Sequence, residues 1–172
     1  MPQEDWDQVA HQVDALPAGW RHQARREHLE LIGRWVGAPA GRWLKTDVFE
    51  EGEPDRALVP SLAGASWTGT DISPAAARRA RPAIPVAVVA DARSLPFRRG
   101  SFDGALSTST LDHFDDGADI DRSLAELGRV LRPGGTLLLT LDNAAHPLIR
   151  ARNALPRAVA RRTGLVPFAV GA

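Results

Sequence analysis

The stretch VAVVADARSLPFRRGSFDGALSTSTLDHF, from Val86 to Phe114, decides the fold of this chain. An apolar run at 86–89 ends in the pair Asp91–Ala92, and a second run at 102–107 follows a loop and a turn. This pattern predicts two buried strands whose carboxyl ends both meet polar residues. In an open parallel sheet, ligands bind in the crevice beyond those ends. The stretch therefore predicts a ligand site.

The rest of the chain alternates strand and helix patterns. Apolar runs predict further strands at 43–49, 65–70 and 136–141, and the third strand at 84–90. Ser73 as a cap and Pro74 at the first helical position predict a helix over 75–81, and Pro54 predicts a helix that starts at 54–58. The residues from Asp115 to Gly117 are typical of the start of another helix. The alternation predicts an α/β fold with a doubly wound parallel sheet.

Two helices are predicted before the first strand. Apolar residues recur at helical spacing from Trp6 to Leu16 and again from Leu29 to Val36. We expect them to form an N-terminal cap at 1–38, ahead of a core at 43–143 and a basic segment at 144–172, all within one domain. The second helix carries five basic residues, which form either a solvated basic face or a cover over an acidic or phosphate-bearing substrate: Arg21, His22, Arg25, Arg26 and His28. The basic C-terminal segment is either a surface helix or an interfacial segment.

The composition limits the class of partner. The 172 residues carry a formal net charge of zero, so no overall field favours nucleic acid, and we expect no nucleic-acid partner. No apolar stretch is long enough for stable membrane insertion. Cysteine is absent, which excludes thiolate catalysis and thiolate metal sites. With no apolar signal-peptide core at the start, we expect a cytoplasmic protein.

Two acids at the predicted strand ends indicate the chemistry of the ligand. Asp71 follows the second strand, where a carboxylate can accept hydrogen bonds from the two hydroxyls of a ribose. Asp91 follows the third strand, and the small residue Ala92 beside it leaves room for a flat purine. Each acid alone is also typical of a turn. Together they favour a nucleoside.

Three segments carry a family resemblance: GTDISPAAARRA, the stretch from Val88 to Phe114, and ELGRVLRPGGTLLLTLDN. They resemble the class I S-adenosylmethionine-dependent methyltransferases, close to the small-molecule branch called type 11. The resemblance implies a Rossmann-like sheet, S-adenosylmethionine as the cofactor and a small-molecule methyl acceptor. It also implies roles for individual residues. Asp71 would bind the ribose, Ile72 would pack on the adenine, Asp91 and Ala92 would meet its amino edge, and Ser107 and Thr108 would lie beside the methionine part.

The chain departs from this family at two places. The family has a glycine-rich turn after the first strand. The corresponding segment of this chain, LKTDVFEEGEP, has one glycine, and Lys45 stands where the family has its first acid. Thr46, Asp47 and Glu50 are therefore the predicted cofactor contacts in this turn. The family usually continues beyond the tail LVPFAVG into a helix and an antiparallel strand pair, so we expect the C-terminal strands to be missing from a truncated product, a fragment or a chain that is completed by association. Exposed apolar residues such as Leu165, Val166 and Phe168 are typical either of a homo-oligomer or of poor solubility.

Catalytic residues leave little trace, because alignment of donor and acceptor supplies most of the acceleration of methyl transfer. Asp112 and His113 follow the fourth strand and are candidates for facing the acceptor, although a helix-start acid and a packed histidine are the more common explanation of such a pair. No histidine spacing predicts a metal site. The alternative function is a catalytically inactive methyltransferase-like binding module. A nicotinamide-dependent oxidoreductase is disfavoured, because no G-x-G-x-x-G follows a strand.

Overall fold

A parallel sheet of five strands organises the part of the chain that the structure describes. The computed structural model describes residues 18–111, 114, 116–141, 143, 145 and 147. The strands are β1 (Gly41–Thr46), β2 (Ala65–Asp71), β3 (Val86–Val89), β4 (Phe102–Thr108) and β5 (Leu131–Thr140). Their order in the sheet is β3-β2-β1-β4-β5, and every pairing is parallel.

The strand order reverses at β1. The chain moves outward from β1 through β2 to β3, then returns to the other side of β1 and continues outward through β4 to β5. The carboxyl ends of β1 and β4 therefore flank the switch point, which is where open α/β sheets bind their ligands. This confirms the predicted α/β fold with a Rossmann-like sheet.

The helices pack on both faces of the sheet. Helix α1 (Ala18–Trp35) places Ile32 against Leu106 of β4. Helix α3 (Gly117–Val130) places Leu127 in a second core cluster that contains Ala105. Because Ala105 and Leu106 are neighbours in one strand, their side chains point to opposite faces. The two helices therefore cover opposite faces, as in a doubly wound fold.

Helix α2 (Pro74–Arg79) starts as the sequence predicts. Ser73 is the N-cap, its side chain accepts a hydrogen bond from the Ala76 N–H, and Pro74 occupies the first turn. The cap fixes the chain immediately after β2. It thereby fixes the position of Asp71, the last residue of that strand.

Several predicted bounds are wrong. The first strand ends at Thr46 instead of residue 49, because Asp47 has a left-handed backbone. No α-helix starts at Pro54; the segment forms turns between short 3-10 helices at Glu50–Gly52 and Val59–Ser61. Strand β3 is shorter than predicted, and β5 begins at Leu131, with a register shift against Phe102–Gly104 of β4. The helix predicted at 6–16 lies outside the described residues.

Candidate functional site

Hydroxyl side chains join the carboxyl ends of the central strands. Thr46 of β1 is in register with Thr70 of β2 on one side and Ser107 of β4 on the other. Its Oγ1 donates to Ser107 Oγ at 2.8 Å and lies 3.1 Å from Thr110 Oγ1. Thr46 and Ser107 are only 1% and 0% exposed. Their side chains hold β1 and β4 together at the switch point, while contact of either residue with a cofactor stays a prediction.

Lys45 is buried at the end of β1, only 2% exposed. Its Nζ donates to the Asp47 carbonyl at 2.8 Å and to Thr108 Oγ1 of β4 at 3.3 Å, with a longer contact of 3.4 Å to the Thr46 carbonyl. A buried ammonium is costly unless it is paired and hydrogen-bonded. The pairing charge comes from Glu51, whose Oε1 lies 3.9 Å from Nζ.

Glu51 extends this network to the next segment of the chain. Its Oε1 accepts the Leu58 N–H at 3.2 Å, and its Oε2 accepts the Val59 N–H at 3.1 Å. One buried carboxylate therefore fixes the 3-10 helix that starts at Val59, and one buried ammonium fixes that carboxylate. Sequence reasoning noted the charge change at Lys45 and missed its partner.

Asp47 has the left-handed backbone conformation that glycine adopts most readily. Its φ is +55°, a region that aspartate tolerates better than most side chains. Its Oδ1 accepts the Phe49 N–H at 3.1 Å, which closes the turn, and its carbonyl receives the Lys45 ammonium. The sequence LKTD therefore builds the turn with side-chain hydrogen bonds in place of glycine flexibility.

Gly69 of β2 lets this turn approach the neighbouring strand. A Cβ at Gly69 would lie 2.5 Å from Val48 Cγ1, so only glycine admits Val48 at this position without a shift. Val48 in turn donates its backbone N–H to Asp71 Oδ2 at 3.1 Å. The close approach thus links the turn after β1 to the acid at the end of β2.

The carboxylate of Asp71 has capacity for further hydrogen bonds. Its Oδ1 accepts the Ser73 N–H at 2.8 Å, and its Oδ2 accepts the Val48 N–H. Burial, followed by the charge of Asp47, raises the pKa of Asp71 to about 7, against the lowering effect of the two backbone N–H groups and Lys45. Each carboxylate oxygen can accept a second hydrogen bond. Two donors on adjacent atoms, as on a ribose, would fit this group.

Asp91 and Ala92 lie beyond β3, and both are half-buried, as is Ile72 beyond β2. Asp91 Oδ1 accepts the Arg93 N–H at 2.8 Å, and the Arg93 side chain forms an ion pair with the same carboxylate. Hydrogen bonding from Arg93 holds the pKa of Asp91 below its usual range. Arg93 also bonds Asp119 of α3 at 2.7 Å, which fixes its orientation. Asp91 is therefore charged and held in place by Arg93, whose backbone and side-chain N–H groups donate to both carboxylate oxygens. This partner was not predicted.

His28 of α1 reaches the same edge of the sheet. Its Nε2 lies 3.3 Å from Thr140 Oγ1, at the end of β5. Burial, followed by the charge of Lys45, lowers the pKa of His28, while Glu27 opposes the shift. Its place on a covering helix was predictable, but its contact with β5 was not. The predicted candidates Asp112 and His113 lie outside the described residues.

Two other kinds of site find no support in the described part of the chain. Within residues 18–111, 114 and 116–141 and the three single residues that follow, no three acids or histidines are placed to share a metal ion. Over the same residues, no helix combines the length and the hydropathy of a membrane span.

Comparison with known proteins gives the family. The family described as "Methyltransferase domain" matches residues 52–139, about half of the chain. The chain belongs to the class I S-adenosylmethionine-dependent methyltransferases. This confirms the family and the fold that the sequence motifs predict, and it implies S-adenosylmethionine as the cofactor of this methyltransferase domain.

Individual relatives agree with this assignment. The O-methyltransferase cnsE of Penicillium expansum is 31% identical over 143 residues, which cover 74% of this chain and 51% of the relative. A Thermotoga maritima structure, titled SAM-dependent methyltransferase and possible histamine N-methyltransferase, is 27% identical with a TM-score of 0.59, over 77% of this chain and 58% of its own. The PH0226 protein of Pyrococcus horikoshii is 26% identical with a TM-score of 0.61, over 78% and 64%. The chain thus spans about half to two thirds of these relatives.

Proposed function

We propose that this protein transfers a methyl group from S-adenosylmethionine to a small-molecule acceptor. The observation that carries the proposal is the Asp71 carboxylate at the end of β2. It has one backbone donor on each oxygen and room for one more on each. That arrangement suits the two hydroxyls of a ribose.

The surrounding residues fit the rest of the cofactor. Asp91, kept charged by Arg93, would accept the amino group of the adenine, and Ala92 would leave space for the ring. Thr46 and Asp47 would line the methionine part from the end of β1, and Ser107 would support it from β4. When bound, S-adenosylmethionine supplies an electrophilic methyl group. The protein's own contribution is to orient that methyl group toward the acceptor.

The name of one relative supports a small molecule as the methyl acceptor. The curated relative at 31% identity is named an O-methyltransferase. Helix α1 covers the sheet beside the ends of β4 and β5, where an acceptor would lie next to the methyl group. A site covered by a helix suits a small molecule as the acceptor.

Calorimetric titration with S-adenosylmethionine tests the proposal. We expect one cofactor per chain, and we expect Asp71→Ala to weaken binding by about tenfold to a hundredfold, as for the loss of hydrogen bonds to a charged group. Asp55→Ala, which removes an exposed acid from the neighbouring turn, is the matched control and should bind as the wild type does. The proposal fails if the wild type gives no heat of binding at millimolar cofactor.

The same samples separate the enzyme from the inactive alternative. An enzyme releases S-adenosylhomocysteine when it is incubated with S-adenosylmethionine and an acceptor that it methylates. A binding module takes up the cofactor and releases none with any compound of a broad acceptor panel.

A further inference from the structure

A row of hydroxyl side chains lies at the carboxyl ends of β4 and β5, beside the predicted cofactor site, and no motif indicates it. Thr108 at the end of β4 is in register with Thr140 at the end of β5. The next residue, Ser109, has a φ of +48° and donates its N–H to both the carbonyl and Oγ1 of Thr140, at 3.0 and 3.2 Å. A non-glycine residue in this conformation is uncommon and recurs at functional sites.

His28 contacts this row of hydroxyls from helix α1, which packs on the sheet. Helix α1 packs on the same face of the sheet, through Ile32 and Leu106, and its His28 Nε2 meets Thr140 Oγ1 at 3.3 Å. Lys45 contacts Thr108 of the same pair of residues and also the carbonyl of Asp47. A short series of contacts therefore connects the imidazole to the turn that would hold the methionine part.

The charges around His28 favour its neutral form. Lys45 on β1 is the cation that acts on it, and Glu27 on α1 is the opposing acid. Burial and Lys45 together lower the pKa of the imidazole, so at neutral pH it carries a lone pair on one ring nitrogen. A neutral imidazole can accept a proton at the ring nitrogen that carries the lone pair.

We propose that His28 is the proton acceptor for the methyl acceptor, and that the acceptor atom is a hydroxyl oxygen. This rests on the proposed function. The hydroxyl oxygen forms the new bond to the methyl carbon, and the bond between that carbon and the sulfur breaks with its electron pair left on the sulfur. The hydroxyl proton passes to Nε2 of His28, directly or through the Thr140 hydroxyl, and solvent then removes it. The row of hydroxyls at Thr108, Ser109 and Thr140 would hydrogen-bond such a substrate.

The first test follows the imidazole itself by NMR in protein labelled at histidine. His28→Gln identifies the His28 signals and keeps a hydrogen-bonding group opposite Thr140. We expect the His28 ring to titrate below the ordinary histidine pKa, about 6.5, and its signals to shift when S-adenosylhomocysteine is added. The proposal is overturned if His28 is protonated at neutral pH, or if its signals do not move on saturation with S-adenosylhomocysteine.

The second test uses acceptors of different acidity. Phenols, aliphatic alcohols, amines and thiols are incubated with the full chain and S-adenosylmethionine. For a phenol that is methylated, we expect His28→Gln to lower kcat on the order of 100-fold with little change in KM. The loss should shrink for a nitrophenol that is already ionised, because no base is then needed. His22→Gln on the exposed face of the same helix is the control and should match the wild type.

Three results of this second test count against the proposal: wild-type turnover by His28→Gln, an equal loss for both phenols, or methylation of amines alone. Failure here is distinguishable from failure of the proposed function. If His28 is wrong, the wild type and His28→Gln still bind S-adenosylmethionine equally. If the proposed function is wrong, the wild type itself either binds no S-adenosylmethionine or binds it and releases no S-adenosylhomocysteine with any acceptor of the panel.

Discussion

Replacing Lys45 by Met tests whether the turn after β1 depends on a buried ion pair. Met removes the ammonium and keeps most of the volume. Three hydrogen-bond contacts of Nζ disappear, and the buried carboxylate of Glu51 loses its counter-charge at 3.9 Å. Breaking a buried pair by removing one partner costs about 3–5 kcal/mol, and we expect the free energy of unfolding to fall by that amount.

The assay is urea unfolding followed by circular dichroism, in a double-mutant cycle with Glu51→Gln. Because the penalty arises from the unpaired carboxylate, Lys45→Met should cost less when Glu51→Gln is already present, by about 1–3 kcal/mol. Arg98→Met, at an exposed position, is the control for loss of a positive charge and should change stability by less than about 0.5 kcal/mol. Additive costs in the cycle, or a cost for Lys45→Met near that of the control, would refute the ion-pair explanation.

Three further predictions concern the acids of the site. Asp47→Asn should lower the pKa of Asp71 from about 7, because the charge of Asp47 helps to raise that pKa. NMR titration of the Asp71 carboxyl group measures the change, and an unchanged pKa would show that burial alone raises it. The affinity for S-adenosylhomocysteine should fall by up to tenfold per pH unit below about 7 as Asp71 takes up a proton, and calorimetry across this range that finds constant affinity would contradict its role. Asp91→Ala should weaken the same binding about tenfold while costing less than about 1 kcal/mol of stability, since Arg93 keeps its bond to Asp119; intact affinity would remove Asp91 from the adenine site.

The raised pKa of Asp71 also makes the free energy of unfolding depend on pH. The folded state holds a proton on Asp71 up to about 7, whereas the unfolded chain releases it near 3.8. Folding therefore binds a proton between these two values. The contribution of Asp71 to stability is fully present below about 3.8 and is lost as the pH rises through about 7.

The parts of the fold that could be predicted are those governed by local sequence. The cap formed by Ser73 and Pro74 acts within one turn, so it placed the start of α2 correctly. The predicted strand at 65–70 stops one residue before the end of β2, and the predicted helix over 75–81 runs two residues beyond the end of α2. Apolar runs gave all five strands for the same reason, with errors at their ends. The helix expected at Pro54 failed because the carboxylate of Glu51 binds the backbone N–H groups of Leu58 and Val59 and fixes a different conformation.

The parts that could not be predicted depend on contacts between distant residues. In the sequence, Lys45 only replaces an acid that the family has at this position. Its role in holding the turn after β1 becomes visible only in the fold, which places Thr108 of β4 beside it. His28 and Thr140 are 112 positions apart, and neither carries a motif. Asp91 was recognised from its strand end, but the arginine that orients it also needs Asp119 of another element.

A crystal structure of the full chain with S-adenosylhomocysteine tests the central claim most directly. We expect both ribose hydroxyls to donate to Asp71, the adenine amino group to donate to Asp91, and the methionine part to lie over the turn formed by Thr46 and Asp47. Density for the nucleoside at another edge of the sheet, or a ribose that makes no hydrogen bond to Asp71, would contradict it.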